Sequence, residues 1–225
     1  MKQEIKKAFR DTVPVLSGYM VLGIGFGILM QTKGYGVLWT LAMSALVYAG
    51  SMQYLAVDLL SGGASLLSAA LTTLLVNARH LFYGISMIDR YKDAGKAKPY
   101  MIFALTDETY SLVCSGEKSH RYCLLVSLFD QLWWVSGSVI GALVGGFLPV
   151  AMTEGIDFAL TALFVTVFVE QWKSTRDHLP AVIGVLASVV CLLVFGAGNF
   201  LIPAMLLIAA ALSVLRLVRK EGDHA

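Results

Sequence analysis

Charge is what this sequence has little of. Only 14% of its 225 residues are Asp, Glu, Lys or Arg, against roughly 25% in soluble domains. With 57% of residues hydrophobic, the chain has too little polar surface to clothe a water-facing core, so a soluble globule is excluded and a multi-spanning membrane protein is left. Cysteine is scarce too: Cys114, Cys123 and Cys191 are odd in number and lie in or beside apolar runs, which argues against a disulfide framework and for small-residue packing. The 17 basic residues, for a net charge of +2, form no patch interleaved with exposed aromatics, which excludes nucleic acid as a partner. No His-Glu-x-x-His pattern is present, and His80 is the one histidine at membrane depth. An intramembrane enzyme therefore has neither metal ligands nor a nucleophile–base pair, and no cofactor or metal is called for. Gly23-x-Gly25-x-Gly27 has isoleucine at position 28 and lies within an apolar run, so it is not a dinucleotide loop.

What is present is a succession of apolar runs, near 13–30, 37–60, 64–88, 100–114, 122–148, 150–172, 180–195 and 200–218. About 20 helical residues cross a bilayer, which predicts an all-α polytopic membrane protein with seven or eight transmembrane segments. Only Tyr100–Cys114 is short, with Thr106, Asp107 and Glu108 at its centre, and it either spans or dips in. The basic start followed by an apolar run resembles a secretory signal, but Pro14 and the glycines interrupt it, and it reads as a first retained span. Eight crossings with the N-terminus inside leave Lys33, Arg90, Lys92, Lys96 and Lys98 outside, so the most basic short loop, 89–99, violates the positive-inside rule. If 100–114 does not cross and the N-terminus is outside, the four N-terminal basic residues become external instead. The chain reads as one integral membrane domain, 1–225, with a duplication of two halves, about 13–88 and 122–218 linked by 89–121, as an open reading. Ser17–Leu29 matches Ser136–Leu148 at both Ser-Gly pairs, at Gly27 and Gly146 and at the closing leucine, and Gly36 and Gly155 keep the offset. Such halves are a frequent plan of secondary transporters, parallel or inverted.

The polar residues inside these runs carry the chemistry. Gly23 with Gly27, and Gly137 with Gly141 and Gly145, place small residues on one helix face and invite a close helix neighbour, in this chain or in a partner. In Tyr48-Ala-Gly-Ser-Met-Gln-Tyr54, Gly50 and Ser51 interrupt an apolar helix and Gln53 adds an amide at mid-span. A helix break there is the mark of a binding site; the alternative is an unbroken helix with Ser51 bonded back to a carbonyl. Asn77-Ala-Arg-His-Leu-Phe-Tyr-Gly84 puts an amide, a guanidinium and an imidazole within four residues. Asn77, His80 and Gly84 share one helix face while Arg79 points nearly opposite, so either both faces are buried or the helix breaks. Intramembrane arginine costs about 2.5–3.5 kcal/mol on insertion scales and needs a partner, unless it snorkels to phosphates. Asp107, Glu108 and Asp130 are the candidates to neutralise Arg79 or to carry protons, with a solvated loop as the alternative for the first two.

These stretches, with Ala104-Leu-Thr-Asp-Glu-Thr-Tyr110 and Asp130-Gln-Leu-Trp-Trp134, resemble the AzlC family, the large subunit of bacterial branched-chain amino acid exporters, over essentially the whole chain. The resemblance implies a multi-pass efflux permease of the bacterial cytoplasmic membrane for leucine, isoleucine and valine, with methionine as a further candidate. The proton gradient is the expected driving force, and a small AzlD-like membrane subunit the expected partner. It points to Gly50, Ser51, Gln53, Asn77, Arg79, His80 and Tyr83 as substrate-binding candidates and to Asp107, Glu108 and Asp130 as proton-coupling candidates. A zwitterion asks for a cation or helix N-terminus, acceptors for its ammonium, and an apolar pocket, for which Phe82, Trp133 or Met52 is available. The competing reading is a passive channel or a non-transporting structural subunit of a membrane complex.

Overall fold

In lipid a backbone satisfies its amides only within helices or closed barrels, and the apolar runs are helical wherever they are described. The computed structural model describes residues 2–114, 119–148, 158–196 and 200–222. Among these the regular elements are α-helices and one 3-10 turn, without a strand. In chain order the helices are α1 (Lys2–Thr32), α2 (Val37–Leu46), α3 (Gly50–Ser61), α4 (Leu66–Val76), α5 (Ala78–Ser86), α6 (Lys98–Phe103), α7 (Asp107–Val113), α8 (His120–Gly145), α9 (Phe158–Ser174), α10 (Leu179–Phe195) and α11 (Leu201–Gly222). Lys118, Glu154, Gly155 and Asp157, and with Gly155 its pairing to Gly36, lie outside the described residues. Large apolar side chains stand exposed along the helices, Leu38 at 80%, Leu66 at 90% and Leu193 at 80%, an outer surface suited to lipid and not to water. Two compact units are present, Met1–Ala69 with Val76–Leu163, and Ala70–Leu75 with Phe164–Ala225.

The spine of the first unit is the pair α1 and α8, the two described helices that are singly long and apolar enough to cross a bilayer. α1 runs unbroken through Pro14, and Ser119 caps α8 by accepting the Tyr122 amide at 3.1 Å. The two glycine stripes face each other. A Cβ added to Gly137 would lie 3.3 Å from the Met20 Cα, and one added to Gly145 would lie 3.1 Å from the Ile28 Cα. At Gly27 and Gly141 there is no room for a side chain at all, because Ser138 and Ala142 press on the first and Ile24 on the second. The close neighbour that the stripes invite is thus within this chain. Contacts advance in the same direction on both helices, Gly137 with Met20, Gly141 with Ile24 and Gly145 with Ile28, so α1 and α8 run parallel. The two stretches whose likeness suggests duplication lie against one another.

Against this pair the run at 37–60 forms a hairpin and not a through-going helix. The Gln53 amide donates to the Met43 carbonyl at 2.8 Å; ten residues of straight helix would hold them about 15 Å apart. α2 starts beside the C-terminal end of α1, which is closed by Gly34 at φ 84° with Tyr35 N donating to Met30 O, and descends until Gln131 of α8 caps the Ala45 carbonyl at 3.1 Å. The chain turns at Tyr48, a non-glycine residue at φ 31°, a conformation costing about 1–3 kcal/mol. α3 then climbs back, Gly50 lying flat under the Trp134 ring and Tyr54 donating to the Leu22 carbonyl at 2.7 Å.

The short run at 100–114 does the same from the other end. Met101, Leu105 and Val113 share one buried cluster with Ala8, Met87, Tyr91, Tyr122 and Cys123, so α6 rises from, and α7 returns to, the end where α1 and α8 begin. Its tip is held by Tyr19 of α1, whose hydroxyl meets Thr106 at 2.8 Å. Between the hairpins the backbone kinks at Asn77, with φ −92° and ψ 7°, between Val76 at the end of α4 and Ala78 at the start of α5. Because 37–61 doubles back, the 87–97 segment comes to the same end as the N-terminus: Arg90 reaches the Cys114 carbonyl at 3.2 Å, His120 meets the Arg90 carbonyl at 2.9 Å, and Ser119 donates to Glu4 at 2.8 Å. Both topologies read from the sequence place them at opposite ends, and this is corrected by the hairpin.

In the second unit α10 packs on α11, with Ala187, Cys191 and Ala204 buried. Asp177 caps the Leu179 amide at 3.1 Å, and the Trp172 and His178 rings stack at 4.1 Å. Cys114, Cys123 and Cys191 form no disulfide.

The α1–α8 register gives two expected outcomes. Met20→Cys with Gly137→Cys forms an intrachain crosslink that appears as a mobility shift without a dimer band. Gly141→Leu, which forces apart helices already in contact, costs at least the roughly 1–3 kcal/mol of an overpacked core and sharply lowers the monodisperse yield in detergent; wild-type yield and melting would refute the internal assignment.

Candidate functional site

Three interruptions converge halfway along the α1–α8 pair: the turn Val47–Ala49 between α2 and α3, the kink at Asn77, and the turn Ala104–Thr106 between α6 and α7. They enclose a cavity of about 190 Å³ lined by Val47, Tyr48, Ala49, Asn77, His80, Gly84, Ile102, Phe103 and Leu105. That is below the ~300–1,000 Å³ of drug-sized pockets and suits a smaller solute. The second unit holds a larger one, about 560 Å³, bounded by Phe168, Trp172 and Val185 and by Thr175, Asp177 and His178 of the single connection between α9 and α10. Convergence, not size, selects the site.

The α5 residues divide as their helical positions require. Asn77, His80 and Gly84 face the cavity, and Arg79 turns away to bind Asp107, the first residue of α7, at 2.7 Å and the Ser51 hydroxyl of α3 at 3.2 Å. One guanidinium thereby ties together the starts of three helices. Of the three carboxylates that were candidates to neutralise it, Asp107 does so. His80 keeps its Nδ1 3.3 Å from the Asn77 carbonyl and packs edge-on to Tyr83, which stacks on Tyr110 at 4.4 Å. Neither Ala49, at the start of α3, nor Asn77, at the start of α5, supplies a side-chain cap; the His80 amide of α5 donates instead to the Asn77 carbonyl at 2.9 Å, while α3 opens on first-turn amides without a side-chain acceptor.

Gln53 is fully buried, with its nitrogen on Met43 and its oxygen accepting from Trp134 Nε1 at 2.7 Å. Together with Gln131 it satisfies the carbonyls that α2 exposes when it stops short. Gly50 leaves room for the Trp134 ring, which would lie 3.0 Å from any Cβ there. Glu108 accepts from Tyr19 at 2.7 Å, and Asp130, fully buried, accepts from Thr109 at 2.7 Å. Phe82, Trp133 and Met52 do not line the cavity, whose apolar wall is Val47, Ile102, Phe103 and Leu105. Sequence reasoning missed Tyr19, Thr109 and this α6 wall; the signal for Tyr19 was a lone hydroxyl in the middle of a glycine-rich apolar run. Among the described residues no three His, Cys, Asp or Glu side chains gather as a metal site.

A family profile described as AzlC protein matches residues 14–148. The branched-chain amino acid transport protein AzlC of Bacillus subtilis (strain 168) is 41% identical over 216 residues, which are 94% of this chain and 85% of that protein. The chain belongs to the AzlC family. A Helicobacter pylori (strain ATCC 700392 / 26695) relative, titled only as a membrane protein, is 39% identical over 222 residues, 95% of this chain and 97% of its own. The inner membrane protein YgaZ of Escherichia coli (strain K12) is 30% identical over 194 residues, 80% and 79% of the two chains. No solved structure matches. The AzlC match falls almost wholly in the first unit, where the breaks converge.

Truncating Gln53 tests its structural share. Gln53→Ala leaves the Trp134 indole N–H unpaired in a dry core, a cost of about 1–3 kcal/mol. At roughly 2–4 °C per kcal/mol for a chain of this size, thermal melting in detergent should fall by several degrees; an unchanged Tm would free Gln53 for another role.

Proposed function

We propose that this chain is the large subunit of a secondary-active efflux permease for branched-chain amino acids, leucine, isoleucine and valine with methionine as a further substrate. It works in the bacterial cytoplasmic membrane beside a small AzlD-like membrane subunit, driven by the proton gradient. The observation that carries the reading is the meeting of three helix breaks at one mid-length cavity, since unwound backbone at membrane depth is tolerated where it lines protein or water and forms substrate sites. The similarity to the branched-chain amino acid transport protein of Bacillus subtilis supports the substrate class.

In this reading the substrate carboxylate takes the uncapped amides of α3 and the Asn77 side chain, where the helix dipole favours an anion. The branched side chain lies against Val47, Ile102 and Leu105. Arg79 and Asp107 hold the two hairpins to α5, and breaking their ion pair frees Asp107 to receive the substrate ammonium. The hairpins approach from opposite ends, which suits a site opened first to one face and then to the other.

The same geometry supports an orientation. In the first unit the chain crosses with α1 and with α8, and both hairpins re-enter. Among the first unit's described basic residues, Lys2, Lys6, Lys7, Arg10, Arg90, Lys92, Lys96, Lys98 and Arg121 then share the cytoplasmic end, Arg79 lies between the ends and Lys33 stands opposite, in keeping with the positive-inside rule.

Labelling intact cells tests the orientation: a single cysteine at Lys33 should react with an impermeant maleimide from outside, and one at Lys96 only after lysis, the reverse pattern refuting it. Counterflow of labelled leucine into proteoliposomes containing both subunits tests the function. Arg79→Ala should insert and yet lose at least about 90% of transport, and Arg79→Lys should rescue poorly because a point charge cannot hold Ser51 and Asp107 together as a planar fork does. Normal transport by the alanine variant would sink this assignment of Arg79.

A further inference from the structure

Between Glu108 and Asp130, the two of the three candidate carboxylates that do not pair with Arg79, runs an unbroken chain of hydroxyls. The Tyr19 hydroxyl reaches Glu108 Oε2 at 2.7 Å and Thr106 Oγ1 at 2.8 Å; Thr106 Oγ1 meets Thr109 Oγ1 at 3.1 Å, and Thr109 Oγ1 reaches Asp130 Oδ2 at 2.7 Å. Tyr19, Thr106, Thr109 and Asp130 are all buried, and the other Asp130 oxygen, Oδ1, has no partner. The Thr109 amide also donates to Thr106 Oγ1 at 3.3 Å.

The protons can be counted. There are four links, Glu108–Tyr19, Tyr19–Thr106, Thr106–Thr109 and Thr109–Asp130, and three hydroxyl protons to fill them. With both carboxylates ionised, Tyr19 donates to Glu108, Thr109 donates to Asp130, and the single proton of Thr106 leaves one of its two links empty. One added proton closes the chain. Placed on Glu108, it donates to Tyr19, and every hydroxyl then points toward Asp130; placed on Asp130, it reverses the whole series. Thr106 accepts from one neighbouring hydroxyl and the Thr109 amide and donates to the other neighbour, so its capacity is filled either way. A second proton would again leave a surplus donor.

We propose that Glu108 and Asp130 share one proton and exchange it through Tyr19, Thr106 and Thr109. As the proton passes, each hydroxyl takes one O–H bond from one side and gives one up on the other, so no net bond is made in the chain and the hydroxyls must reorient before the next transfer. The proton comes from water at one face and leaves to water at the other. The titratable side chains facing Asp130 are Tyr48, Tyr100 and Tyr122. Those facing Glu108 are Tyr48 and His80, with the Arg79–Asp107 pair adjacent in the chain. Among the described residues the neutral phenols and the internally balanced ion pair leave the two carboxyls as the acceptors within the hydroxyl chain; His80 stands outside it, its Nδ1 3.3 Å from the Asn77 carbonyl. The use of the shared proton for pumping rests on the transport reading; the sharing itself does not.

Two measurements separate them. Infrared pH titration of the purified full chain should show carboxylic C=O bands of Glu108 and Asp130, assigned with Glu108→Gln and Asp130→Asn, that move together in the wild type and separate in Tyr19→Phe and Thr109→Val. Thr109→Ser, which restores the hydroxyl, should bring back the coupled titration and serves as the folded control. In proteoliposomes with the small subunit, Tyr19→Phe and Thr109→Val should lose accumulation driven by a pH gradient by at least about tenfold, while counterflow stays within about twofold of wild type. If the bands titrate in Tyr19→Phe and Thr109→Val as they do in the wild type, the relay is overturned whether or not the protein transports leucine. Coupled bands with no leucine transport by the wild type would uphold the relay and count against the substrate assignment alone.

Discussion

The backbone contact between α1 and α8 is the constraint from which the rest follows. Without a hydrophobic force between helices in lipid, close association needs small residues that let backbones touch, and Gly23, Gly27, Gly137, Gly141 and Gly145 supply it. Once the pair is fixed in parallel register, Tyr19 on one helix and Asp130, Gln131 and Trp134 on the other stand at a common level. Each of these holds a piece of a hairpin tip: Tyr19 the Thr106 turn, Asp130 the Thr109 hydroxyl, Gln131 both the Ala45 carbonyl and Tyr100, Trp134 the Gln53 amide. Helices that stop inside a membrane leave amides and carbonyls that water cannot reach, and here the spine provides the partners.

This division of labour explains why the polar residues of the middle layer are so unequal in kind. Gln53 and Gln131 are spent on backbone carbonyls, and Arg79 is spent on uniting α3, α5 and α7. Asn77 and His80 line the cavity, and the first turn of α3 has no side-chain cap. The group that looks most like a ligand receptor from its charge is a clasp, and the quieter groups beside it line the space.

The all-helical class, the interruption at Gly50, the crowding at Asn77–Arg79 and the polar centre of 100–114 were legible in the sequence, because composition and local spacing determine each of them. The facing of Asn77, His80 and Gly84 away from Arg79 followed from helical period alone. The reversals were not legible. Whether a broken apolar run continues or turns back depends on where its free carbonyls find donors, and for Met43 and Ala45 these are Gln53 and the distant Gln131. With the reversal at Tyr48 unseen, the basic segment at 89–99 was assigned to the end opposite the N-terminus. Tyr19 escaped notice for the same reason, since its role exists only once the Thr106 turn is brought to it.

The pairing of Arg79 with Asp107 also decides where membrane voltage can act. A charge moved through the full field exchanges about 2.3 kcal/mol per 100 mV, but a guanidinium and a carboxylate 2.7 Å apart form a dipole with no net charge, so while the pair holds a joint shift of α5, which carries Arg79, and α7, which carries Asp107, does almost no electrical work. Glu108 and Asp130 have no such counterpart among the described residues. Under the proposed proton exchange between Glu108 and Asp130, the field acts on the carboxyl protons and, while the pair holds, hardly at all on the arginine.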